Sequence, residues 1–171
     1  MAELVHQERL QPSLLDRLTD DDSRSAVESR EQRVLSVRRL RDCVLRDLSW
    51  LLNSASLPAE EKYAEYPLVC HSVLNYGIRD LTGQTSAGID VPALERMLRQ
   101  AIWDFEPRIL RNSVRVRAVE GNTELDHNTV VFEIEGDLWA QPVPLQLYLR
   151  TEIDLEAGNV AVVETRGADA A

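Results

Sequence analysis

The stretch that decides the fold is Leu145-Gln-Leu-Tyr-Leu-Arg-Thr-Glu-Ile-Asp154. Leu145, Leu147, Leu149, Thr151 and Ile153 alternate with Gln146, Tyr148, Arg150, Glu152 and Asp154. A period of two over ten residues predicts a strand with one buried face and one wet face. The same period lies on both sides of it. Upstream, Val130, Phe132, Ile134 and Leu138 alternate with Glu133, Glu135 and Asp137, and before them Val114, Val116 and Ala118 alternate with Arg115 and Arg117. Downstream, Val160 and Val162 continue the pattern. Gly121-Asn122, Pro142/Pro144 and Ala157-Gly158-Asn159 punctuate the strands with turn chemistry. The outer faces carry arginines on the first strand, acids on the second and mixed charges on the third, which neighbouring antiparallel strands can use to set their register.

Toward the N-terminus the period changes to that of a helix. Asp90 is a natural N-cap, Pro92 suits the first turn, and Leu94, Leu98, Ile102 and Phe105 mark one face. This helix must end by Glu106, because Pro107 disfavours α backbone in the residue before it. Pro67 to Gly77 predicts a shorter helix, with Leu68, Val69, Val73 and Leu74 at helical spacing and Gly77 as its stop. Gln32 to about Ser54 predicts a longer one, on a stripe of Val34, Val37, Val44, Leu48, Leu51 and Leu52. Helices followed by a strand meander define an α+β fold: N-terminal helices packed on one face of a small, mainly antiparallel sheet formed by the C-terminal half. The chain divides into a polar leader (1–32) with a short docking helix, a single α+β domain (33–165) and a flexible tail (166–171). In the leader, Leu14, Leu15 and Leu18 lie on one side of a helical turn that docks either on its own domain or elsewhere.

Composition narrows the function. The 171 residues carry a net charge of −10, a poor match for a phosphate backbone or an anionic membrane surface. Lys62 is the sole lysine among nineteen basic residues; GC-rich codon usage accounts for such a bias, and it is compatible with a preference for planar, bidentate pairing with carboxylates. Cys43 and Cys70 are expected to be buried free thiols. No apolar run reaches the length of a membrane span and the first ten residues lack a secretory h-region, so the expectation is a cytoplasmic protein with no membrane insertion. His6, His71 and His127 have no metal-ligand spacing, and no nucleophile elbow or nucleotide loop is present. No cofactor and no metal are expected.

Trp103-Asp-Phe-Glu-Pro-Arg-Ile109 is the most informative segment. Pro107 stiffens the chain, and in extended backbone Glu106 and Arg108 project to the same side. They form either a two-sign recognition element or a helix terminator with an internal ion pair. Most acids fall on strand outer faces or in polar loops; Glu106, which follows Trp103 and Phe105, is the exception that an acid-catalysed hydrolase would need, but Arg108, two residues on, favours its charged form and spoils it for that role.

Three places resemble the TssE family of type VI secretion baseplate subunits, small lysozyme-like wedge proteins of contractile machines. They are Pro12-Ser-Leu-Leu-Asp-Arg-Leu-Thr-Asp20, Ser72-Val-Leu-Asn-Tyr-Gly-Ile-Arg-Asp-Leu81 and the signature Glu106-Pro107-Arg108. Arg79 stands where the resemblance leads one to expect proline or a small residue. The resemblance implies a structural baseplate domain, not an enzyme. It implies that Glu106, Pro107 and Arg108 attach to the wedge subunits TssF, TssG and TssK, and that the sheet side meets the sheath proteins TssB and TssC. The alternative is a lysozyme-like peptidoglycan hydrolase with Glu106 as acid. Val160-Ala-Val-Val-Glu164 is β-prone, short, and free of lysine or proline, so Val160, Val162 and Glu164 are expected at a sheet edge that accepts a sheath strand.

Overall fold

A computed structural model describes residues 13–19, 37–57, 65–83, 90–119, 129–139 and 144–165. Its elements are α1 (Leu14–Leu18), α2 (Val37–Leu52), a 3-10 turn (Val73–Asn75), α3 (Val91–Phe105), β1 (Arg115–Ala118), β2 (Thr129–Leu138), β3 (Leu145–Asp154) and β4 (Val160–Glu164). The four strands form one antiparallel sheet in the order β1-β2-β3-β4. The α+β arrangement is the expected one, with helices in the first half and the sheet in the second.

The outer-face charges meet as their alternation predicts. Arg117 stands opposite Glu133, which stands opposite Arg150, and Arg115 stands opposite Glu135. Opposed charges across strands favour this register over a one-residue slip, which would turn every apolar residue to water. The inner face supplies Val116, Phe132, Ile134, Leu138, Leu147, Leu149 and Ile153, and α2 and α3 cover it with Val44, Leu48, Leu51, Leu52, Leu94, Leu98 and Ile102. α2 packs on β4 and α3 on β1. Asp90 caps α3 through its side chain, which accepts from Ala93 N–H at 3.0 Å, and α3 stops before Glu106.

Three expectations need correction or restriction. Residues 67–77 form turns and one 3-10 turn instead of a helix. The cause is local competition for the backbone. Ser72 Oγ donates to the Val69 carbonyl and accepts from Leu74 N–H, while the Asn75 amide donates to the Cys70 carbonyl and accepts from Leu57 N–H. With the sheet face already covered, Leu68, Val73 and Leu74 point outward, 84%, 81% and 71% exposed. Cys43 is buried as expected, but Cys70 is exposed, because it sits in this same turn segment. The start of the first long helix before Val37, most of the leader and the tail from 166 lie outside the described residues.

Gly77 is required where it stands. Its φ is +122°, and a Cβ there would sit 2.2 Å from the Ser54 carbonyl oxygen. That close approach lets Ile78 N–H reach Ser54 O and Ser56 N–H reach Ile78 O, both at 2.9 Å, stitching the segment after α2 to the turn segment.

Candidate functional site

The signature is built at the junction of α3 with the end of β2. Trp139 N–H donates to the Arg108 carbonyl at 2.7 Å and Leu110 N–H to the Asp137 carbonyl at 2.9 Å, so β2 straps the backbone after Pro107 in place. Gly136 leaves the space that Ile109 fills; a Cβ there would meet its side chain at 2.8 Å. On this fixed backbone the side chains of Glu106 and Arg108 do meet. Arg108 Nε donates to Glu106 Oε1 at 2.7 Å and Nη2 to Oε2 at 2.5 Å, a bidentate pair. Glu106 is 3% exposed, whereas Pro107 is exposed and Arg108 is partly so.

The pair does not stand alone. Arg108 Nη2 also donates to Asp47 Oδ2 on α2 at 2.5 Å. Asp47 Oδ1 accepts from Arg46 Nε at 2.8 Å, and Arg46 Nη2 donates to Asp16 Oδ1 on α1 at 2.8 Å. Asp16 Oδ2 in turn accepts from the Ser13 hydroxyl at 2.6 Å and from the Ser13 N–H, which closes a capping box on α1. Asp16 and Glu106 are the two buried carboxylates among the described residues, and they are the two ends of this one chain of charges. Buried charges persist when each is paired and hydrogen-bonded, as here. Burial would lower the Arg108 pKa, but Glu106 and Asp47 together hold the guanidinium firmly charged. Tyr76, packed edge-on to Phe105 at 5.3 Å, has its phenol pushed up by burial and then by the Asp47 and Glu106 charges.

Between α1 and the signature lies a cavity of about 460 Å³, lined by Ser13, Leu15, Asp47, Trp50, Leu51, Tyr76, Phe105, Glu106, Pro107 and Arg108. It has aromatic walls and a charged floor. Arg46 stacks over Trp50 at 5.1 Å from the ring centre. Both Glu106 oxygens are taken by Arg108, so the carboxyl in this apolar setting is an ion-pair partner. No cluster of three metal-ligating side chains exists among the described residues.

The second predicted site, Val160, Val162 and Glu164, is on β4, an edge strand of the sheet. Thr165 N–H bonds to the Tyr148 carbonyl, so by the antiparallel alternation the backbone groups of Val160, Val162 and Glu164 face away from β3. At Val160 they are already taken: the Asn53 side chain, just past α2, accepts from Val160 N–H at 2.9 Å and donates to its carbonyl at 2.8 Å. Among the described residues nothing bonds the outward backbone of Val162 and Glu164, and the Glu164 carboxylate lies 3.4 Å from Arg41. The other edge is treated alike, since Glu95 on α3 accepts from Ala118 N–H at 2.8 Å. The structure therefore brings Glu106, Pro107 and Arg108 into one site and sets Val160, Val162 and Glu164 along a separate edge.

Arg46, Asp47 and Asp16 are members of the charge chain that sequence patterning alone does not single out. The Ser13-x-x-Asp16 spacing is a capping signal that marks α1; nothing in the sequence links Asp16 to a residue ninety positions on.

Two helices laid on one face of a four-stranded meander, with an ion-pair network opening beside an aromatic cavity, make a small α+β domain. Over residues 38–143 the chain matches the family described as baseplate wedge protein gp25, and it belongs to that family. The matched span runs from α2 through the signature and past β2; α1, β3 and β4 lie outside it. No curated protein and no solved structure gives a match. The family is a structural one of phage-tail-like baseplates, and its members contact other baseplate components. No described helix is long and apolar enough to cross a membrane.

Proposed function

We propose that this chain is the TssE-type subunit of a type VI secretion baseplate: a cytoplasmic, non-enzymatic part that joins the wedge to the first sheath ring and supports sheath assembly. Membership of the baseplate wedge family over residues 38–143 carries this reading. The leader, central motif and signature that resemble TssE proteins direct it to the secretion machine. On this reading the wedge subunits TssF, TssG and TssK dock at Glu106, Pro107 and Arg108, and the sheath proteins TssB and TssC add to the β4 edge. The bonding pattern supports both assignments. Arg108 Nη1 is a buried donor with no acceptor among the described residues, a state that costs roughly 1–3 kcal/mol and that a partner's carbonyl or carboxylate can relieve. Val162 and Glu164 offer the backbone that β-augmentation uses.

Co-purification of Arg108→Ala with the wedge subunits tests the reading. The backbone strap at Arg108 does not need its side chain, so the sheet should persist while the wedge complex weakens by about 2–5 kcal/mol. Normal recovery of the variant with the wedge would refute the interface role. A collapse of the fold at the temperature where wild type is intact would make the pair purely structural.

A further inference from the structure

α1 is held to the body through its polar side. Leu14 and Leu18 are 72% and 74% exposed, while the Asp16 side chain is 3% exposed. Five residues do not make a stable helix alone, and apolar burial holds this one only through Leu15, itself 43% exposed. Asp16 is tied to α2 by Arg46 at 2.8 Å and by a hydrogen bond from Cys43, with Ser13 bonding the other Asp16 oxygen. Arg46 passes the constraint on, because the same guanidinium holds Asp47 Oδ1, and Asp47 Oδ2 holds Arg108. Glu106 fixes the plane of Arg108 locally; Asp47 is what ties that pair to α2. Arg46 has its side chain 32% exposed, and without Asp16 it is free to swing toward water and release Asp47.

We propose that Asp16 is a positioning residue for the signature: docking of α1 sets the placement of the Glu106–Arg108 pair against α2, so the leader is part of the wedge-binding site. This rests on the reading that the signature binds the wedge. It adds a residue from outside the span that matches the family. The ligand served is an acceptor-bearing segment of a wedge subunit entering beside Arg108, Trp50 and Leu15.

The test uses the full chain carrying Asp16→Asn, an isosteric change that removes the charge. Two quantities are measured: affinity for the purified wedge subunits, and the NMR resonance and solvent exchange of the Arg108 Nε–H in the free protein. Affinity should fall roughly tenfold, the Nε–H signal should shift and exchange faster, and amide exchange in β2 and β3 should stay as in wild type. Ser13→Ala, which loosens the hold on Asp16 without touching the body, should give the same pair of effects at smaller size. Unchanged wedge affinity in Asp16→Asn, with Arg108→Ala losing it, would overturn the proposal and leave the signature reading standing. Lost affinity with an unaltered Arg108 signal would also overturn it, since the leader would then touch the partner directly. If Arg108→Ala binds normally too, the signature reading itself fails, and the proposal with it.

Discussion

Asp16 is the residue on which pH acts most directly. Burial pushes its carboxyl up, but hydrogen bonds from Ser13, Arg46 and Cys43 and the Arg46 charge outweigh that and hold it at about 2, below its ordinary 3.8. A depressed folded pKa means that the docking of α1 is fully supported above the ordinary value. That support is lost as pH falls through about 2. A carbon-13 titration of the Asp16 carboxyl should therefore show a midpoint near 2, with α1 loosening over the same range; a midpoint near 4 would mean that the charge chain is open in solution. The Glu106–Arg108 contact is the part of this site that was legible beforehand, because Pro107 constrains both neighbours within three residues. Asp47 and Asp16 were not legible, since their partners are set by packing of α1 and α2 and not by spacing along the chain.

At the scale of elements, legibility followed periodicity. Strands and register could be read because alternation and opposed charges point to one pairing, as with Arg117, Glu133 and Arg150. The segment 67–77 misled because helical spacing of Leu68, Val69, Val73 and Leu74 says nothing about whether a core face is free to take them, or whether Ser72 and Asn75 will capture the backbone. Its closing Gly77 is needed for a close approach to Ser54 and not as a helix stop. Gly77→Ala should destabilise the protein by at least ~2 kcal/mol in denaturant unfolding, because a strained φ and a clash with backbone act together. A change under 0.5 kcal/mol, the range of an ordinary surface substitution, would show that Ser54 can move aside. The edge strands carry a second prediction. Val162 N–H faces away from β3, so Val162→Pro should leave the β3–β4 ladder paired while blocking an added strand. Sheath initiation should fall more than wedge binding does; normal sheath growth from an incorporated, folded variant would put the sheath contact elsewhere. Asn53 explains why the edge opens at Val162 and not at Val160, a detail invisible in a run of β-prone residues.

At the scale of the whole molecule, the signature and the β4 edge are two separate places on one α+β body. The signature sits where α3 gives way to the sheet, and the β4 edge lies at the far side of a meander that begins with β1. A single hydrophobic core under both helices joins the two places, and the proposed role, one partner at each, uses their separation. The overall charge of −10 suits protein partners better than nucleic acid, in keeping with the family. On the proposed function the signature cavity faces the wedge. Trp50, 51% exposed at the rim of that cavity, is the place to ask. With a photo-crosslinking phenylalanine derivative in place of Trp50, illumination of assembled baseplates should join the chain to a wedge subunit, and the yield should drop when Arg108→Ala is added. Crosslinks to sheath protein alone, or wedge crosslinks indifferent to Arg108, would contradict a wedge-facing signature.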